Sequence, residues 1–105
     1  MAGPVDAPKL AISSEEIEAF CLRHNIRKLS LFGSILTPRF RAESDIDVLV
    51  EFEVGRVPGY FGLAGMELEL TDKLGRKVDL RTPGELSRYF RDEVLADAAV
   101  QYEKH

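Results

Sequence analysis

LSLFGSILTPRFRAESDIDVLVEF, residues 29–52, decides the fold of this chain. An apolar run leads into Gly33-Ser34, and ten residues later Asp45-Ile46-Asp47 opens a second apolar run. The pattern predicts a strand, a phosphate-gripping turn, a short irregular connection and a second strand. Side chains alternate faces along a strand, so Asp45 and Asp47 point one way while Ile46, Val48, Val50 and Phe52 point the other and are available for burial. Two carboxylates so close raise each other's pKa and oppose ionisation. A hard divalent cation relieves this, and magnesium favours carboxylates together with substrate phosphates. Gly33 lets the backbone approach a ligand closely. Ser34 adds a hydroxyl and an N–H at the start of a helical turn, where anions are attracted. Acidic metal ligands and a phosphate grip on one strand pair point to phosphoryl or nucleotidyl transfer. A bare Asp-x-Asp would read as two solvated carboxylates; its distance from Gly-Ser and its apolar flanks give it meaning.

Working outward, residues 1–10 contain Gly3, Pro4 and Pro8 and read as a loose tail ahead of one domain, 11–105. Ser13 and Glu16 form a capping box, and Ile12 is placed to staple onto Ile17. Ile17, Phe20, Cys21 and His24 follow helical spacing and mark a buried stripe. Cys21 there reads as core and not as a nucleophile, for no basic partner is evident. The first strand spans about 26–32 and the second 45–52. Gly55, Pro58 and Gly59 mark a loop. A helix over 60–74 lines Leu63, Met66, Leu70 and Leu74 on one face and stops at Gly75.

Lys77-Val-Asp-Leu-Arg81 is a short third strand, with Val78 and Leu80 facing the core and Asp79 the other side. Neighbouring strands lie ~4.8 Å apart, so Asp79 reaches the Asp45/Asp47 pair if the strands are adjacent. The bland alternative is an ion pair of Asp79 with Lys77 or Arg76. Thr82, Pro83 and Glu85 read as a helix start, with Leu86, Tyr89 and Phe90 as a core stripe running to about Val94. A further helical turn and an edge strand at 99–102 complete an α+β fold: a mixed sheet of about four strands with helices mainly on one face. The site then lies on the opposite, more open face.

Gly33-Ser34, ten residues, then Asp45-x-Asp47 resembles the signature of the DNA polymerase beta-like nucleotidyltransferase superfamily. The short chain resembles its minimal nucleotidyltransferase (MNT) branch over roughly residues 12–103. Where that family usually continues Gly-Ser with a small residue, Arg and Gly, this sequence has Leu36, Thr37 and Pro38, so Arg39 or Arg41 would have to supply the cation. The resemblance implies that Gly33 and Ser34 seat the phosphates of ATP and that Asp45 and Asp47 hold Mg²⁺. Asp79 is the third acid, beside a second Mg²⁺. It also implies an antitoxin that transfers AMP to a tyrosine of a HEPN-domain RNase toxin. Two other readings stay open: an antitoxin acting by contact alone, and a transferase acting on a small molecule with a companion subunit.

Composition bounds these readings. The 105 residues suffice for one core. With 45% apolar and 30% charged residues the chain matches globular proteins. No apolar run approaches the ~20 residues of a spanning helix, and the N-terminus lacks a signal-peptide pattern. The single Cys21 rules out an internal disulfide and fits a reducing compartment, so a cytoplasmic location is expected. The net charge of −4 opposes sequence-independent nucleic-acid binding, which rests on Lys and Arg at phosphates. A nucleotide needs only a local cation site.

Overall fold

Leu29 and Leu31 meet Val50 and Val48 across the central strand pair of the sheet. The computed structural model describes residues 12–41 and 43–104; the expected N-terminal tail, 1–10, lies outside them. Strand β1 (Ile26–Phe32) pairs antiparallel with β2 (Ile46–Phe52). Strand β3 (Val78–Arg81) lies parallel to β2, and β4 (Ala99–Glu103) antiparallel to β1, giving the order β3-β2-β1-β4. A parallel neighbour requires a crossover, and helix α2 (Tyr60–Leu74) supplies it between β2 and β3.

Helix α1 (Ser14–Arg23) starts where the sequence predicts: the Ser13 hydroxyl accepts from the Glu16 N–H at 3.1 Å. Its Ile17, Phe20 and Cys21 are buried with Met66 and Leu70 of α2 against Leu29, Leu31, Val48, Val50, Val78 and Leu80. Both helices therefore cover one face of the sheet. Each fully buried Leu, Val or Phe contributes about 1.5–3 kcal/mol, against about 0–1 kcal/mol for an exposed ion pair, so this layer holds the fold. His24 lies beyond the stripe, half-buried, with Nε2 2.9 Å from Glu69 of α2. Asn25 turns the chain with a φ of 60°. Gly75 ends α2 in the left-handed conformation, as expected.

The outer edge of β3 is closed by side chains of α2. Thr71 Oγ1 accepts from the Val78 N–H at 3.1 Å, and Glu67 Oε2 from the Leu80 N–H at 2.8 Å. Those two amides point away from β2, and residues one turn apart on α2 satisfy them.

The expected helix from Pro83 to Val94 is not continuous. Glu85 folds back on Thr82, accepting from its N–H at 2.9 Å, and closes a 3-10 turn, Pro83–Glu85. The chain then becomes extended at Leu86, which is buried. Arg91 Nη2 donates to the Leu86 carbonyl at 2.8 Å and holds the break. Helix α3 starts only afterwards (Arg91–Asp97). Tyr89 and Phe90, read as core, are instead 86% and 48% exposed. The face opposite the core layer is also less bare than expected: Ser30 and Leu49, paired across β1 and β2, are buried, and the turn after β3 returns beside β2.

Candidate active site

The site grows from the end of β1. Phe32 is extended, and Gly33, with φ of 76°, bends the chain into a 3-10 turn over Gly33–Leu36. The Thr37 hydroxyl and N–H close that turn on the Ser34 carbonyl at 2.8 and 2.9 Å. Across the hairpin Phe32 stands opposite Asp47. The Asp47 carboxylate lies directly over Gly33: a Cβ there would collide with it, Cγ being 3.0 Å away. The Ser34 backbone N–H donates to the same carboxylate.

Asp79 comes in from β3. The parallel register sets Asp47 beside Asp79, with Ile46 beside Val78 and Val48 beside Leu80 on the buried face. Asp45 lies one residue ahead of β2, exposed. Burial pushes the Asp47 carboxyl above the usual carboxylate range, and the charges of Asp79 and Asp45 push the same way; the Ser34 N–H and Arg81 oppose them and lose. Burial is the largest of these causes, and the two neighbouring acids add to it.

The cation partners differ from the ion pairs weighed in the sequence. Asp79 pairs with Arg81, Nε to Oδ1 at 3.0 Å, with Nη2 3.4 Å from Oδ2. Lys77 Nζ stands 4.0 Å from Asp45. Arg76 turns the other way. Its Nη2 donates to the Arg41 and Ser44 carbonyls, both at 2.6 Å, and its guanidinium lies 4.4 Å over the Phe40 ring. It fastens the irregular connection that carries Asp45. Sequence reasoning missed this role; the only signal was a basic residue immediately after the Gly75 helix stop.

A cleft of about 340 Å³ between α2 and β3 has Asp45, Lys77, Asp79 and Arg81 on one wall and Tyr60, Leu63 and Glu67 on the other. A second, more apolar groove of about 690 Å³ runs from Gly33 and Leu36 to Phe90 and Val94. Neither is lined by Asp47, which stands between Gly33 and Asp79. The predicted residues thus gather at one end of the β1–β2–β3 sheet, spread over an open surface.

Among the described residues, no three Asp, Glu, His or Cys side chains form a ready metal cage. The donor set nonetheless suits magnesium, which is typically held by one or two carboxylates plus substrate phosphates and retained water. Asp45 and Asp47 offer hard oxygen atoms, and the mutual repulsion at Asp47 is what a divalent cation would relieve. No described helix is long and apolar enough to cross a membrane.

The fold sets a glycine-serine turn against aspartates on adjoining strands. The family model of the nucleotidyltransferase domain matches residues 14–101. A Methanocaldococcus jannaschii protein provisionally named a protein adenylyltransferase is 34% identical over 77 residues, 73% of this chain and 81% of that one. A solved structure provisionally described as a minimal nucleotidyltransferase superposes with a TM-score of 0.67 at 34% identity, covering 81% of this chain and 85% of the other. A Shewanella oneidensis complex, described as a tri-AMPylated HEPN toxin with its MNT antitoxin, shares the fold with a TM-score of 0.63 at 17% identity, over 87% of this chain and 70% of that one. The chain belongs to the nucleotidyltransferase domain family, in its minimal branch.

Proposed function

We infer that this chain is a magnesium-dependent protein adenylyltransferase that moves AMP from ATP to a tyrosine hydroxyl of a HEPN toxin and thereby neutralises it. The observation that carries the reading is the in-register pairing of Asp47 with Asp79 beside the Gly33 turn. The name of the M. jannaschii relative supports protein as acceptor, and the S. oneidensis complex supports a HEPN partner.

The turn at Gly33 and Ser34 seats the β- and γ-phosphates, the Ser34 hydroxyl serving as donor while its N–H stays on the Asp47 carboxylate. Asp45 and Asp47 would hold the metal, and Asp79 would serve a second ion. Bound there, magnesium supplies charge neutralisation of the phosphates and of the attacking and leaving oxygens. Asp79 accepts a hydrogen bond from the acceptor hydroxyl and orients it. That oxygen attacks the α-phosphorus in line, the bond to the bridging oxygen breaks, pyrophosphate leaves, and the hydroxyl proton passes to Asp79 and from there to water. The open surface around the acids suits a protein acceptor, which has to bring its tyrosine up to them.

Incubating the purified chain with its toxin, ATP and Mg²⁺, and weighing the toxin by mass spectrometry, tests this. AMP additions are expected with the wild type and none with Asp45→Asn/Asp47→Asn, whose fold is checked by circular dichroism. Labelling by the double variant overturns the assignment. Undiminished toxin neutralisation by a variant lacking all three aspartates selects inhibition by contact.

A further inference from the structure

Arg81 is the cation through which the acids of this site are connected. Its forked guanidinium takes both oxygens of Asp79. On its other side Nη1 is 3.9 Å from Glu85 Oε2, and the other oxygen of Glu85, Oε1, is fixed by the Thr82 N–H and hydroxyl. Its charge also reaches Asp47, and Glu67 lies within its field. Arg81 and Lys77 are the two cations lining the cleft among the described residues, and Lys77 is at the far, Asp45 end.

Resting on the nucleotidyltransferase reading, we propose that Arg81 is a latch on the third acid: without nucleotide it occupies Asp79, and an incoming magnesium triphosphate draws it off toward the phosphates and Glu85, freeing Asp79 for metal and acceptor. Three features carry this. The pair is half-exposed, so breaking it costs little. Glu85 is a second carboxylate already held in place to receive the guanidinium. The planar fork that grips a carboxylate grips a phosphate equally well. Arg81 thus acts through Asp79 as a positioning residue and supplies a cation at the triphosphate. It stands on β3, whereas the sequence sought that cation at Arg39 or Arg41.

The latch is tested on the full chain with manganese alone as probe, its binding read by electron paramagnetic resonance without nucleotide. ATP affinity is then measured calorimetrically in magnesium. Arg81→Gln removes the competitor, so manganese is expected to bind about three-fold tighter, the factor an exposed ion pair returns when given up. ATP is expected to bind more weakly, raising KM more than it lowers kcat. Arg81→Lys keeps the charge without the fork and is expected to restore part of both. Arg88→Gln, beside Tyr89 and outside the site, controls for loss of a positive charge. Equal manganese affinity in wild type, Arg81→Gln and Arg88→Gln overturns the latch alone. Absence of manganese binding from wild type and Arg81→Gln alike overturns both the latch and the metal-dependent reading. Should Arg81→Gln not fold, the manganese affinity of Arg81→Lys decides, since the latch requires it to exceed that of the wild type.

Discussion

Gly33 lacks a side chain at the point where the Asp47 carboxylate needs room. A Cβ on residue 33 would press into that carboxylate, and its φ of 76° disfavours any L side chain besides. The left-handed conformation alone costs a non-glycine residue about 1–2 kcal/mol. Gly33→Ala is therefore expected to lower stability by at least that amount in urea melts. Transfer activity should fall further than stability explains, because Asp47 is displaced. A variant that is destabilised but retains full activity at saturating ATP would separate the turn from the chemistry.

Asp47 makes the fold and the chemistry pull apart. Its carboxyl is raised by burial and by its acidic neighbours. The native chain therefore holds this proton to higher pH than the unfolded chain, and stability declines as pH rises from the ordinary carboxylate range through the raised pKa. Asp47→Asn keeps an oxygen for the Ser34 N–H and loses the repulsion. Thermal melts in the absence of metal should show it more stable than wild type at pH 7, with the advantage vanishing as pH falls below the carboxylate range. It should also be inactive. A variant less stable than wild type at pH 7 would contradict the electrostatic account.

Arg76 is expected to matter without touching substrate. Arg76→Met keeps the stem over Phe40 but abandons the Arg41 and Ser44 carbonyls. Hydrogen bonds from a charged donor contribute about 1.5–3 kcal/mol, so a loss of about 2 kcal/mol is expected from denaturant midpoints. Faster amide exchange at Ser44 and Asp45 should accompany it. Unchanged exchange there would show that the connection is held by other means.

Cys21 provides a probe of the core. Burial pushes its thiol up to about 12, and the side chain is fully enclosed. The thiolate is the reactive form. The native chain is therefore expected to resist a thiol reagent at pH 8, with labelling following the urea transition. Rapid labelling without urea would mean that α1 opens from the sheet.

Much of this was legible before any coordinates. Strand and helix periods located β1, α2 and β4 closely, because each has an apolar face with a clear partner. Asp79 was expected to reach Asp47 only if their strands were adjacent, and the parallel pairing of β2 with β3 meets that condition. The segment after β3 was misread for a local reason. Thr82, Pro83 and Glu85 carry a genuine helix-start signal, and the structure uses it for a single turn. Gly84 is a poor helix former, and Arg91 binds the Leu86 carbonyl, so the chain leaves the helix with Tyr89 and Phe90 exposed. The ion pairs were also hidden, since sequence spacing does not say which of Arg76, Lys77 and Arg81 turns toward an acid. Lys77 and Arg81 both share the parity of Asp79, two residues to either side, yet Arg81 pairs with Asp79 while Lys77 stands by Asp45.

The side chains of Thr71 and Glu67 that occupy the outward amides of β3 have a consequence for assembly. A foreign segment arriving at that border finds two donors already spent, so the sheet is blunted there against growth by strand addition. Recruitment of another chain by backbone pairing would have to use the far border, along β4, leaving the acidic corner clear for an acceptor to approach from outside.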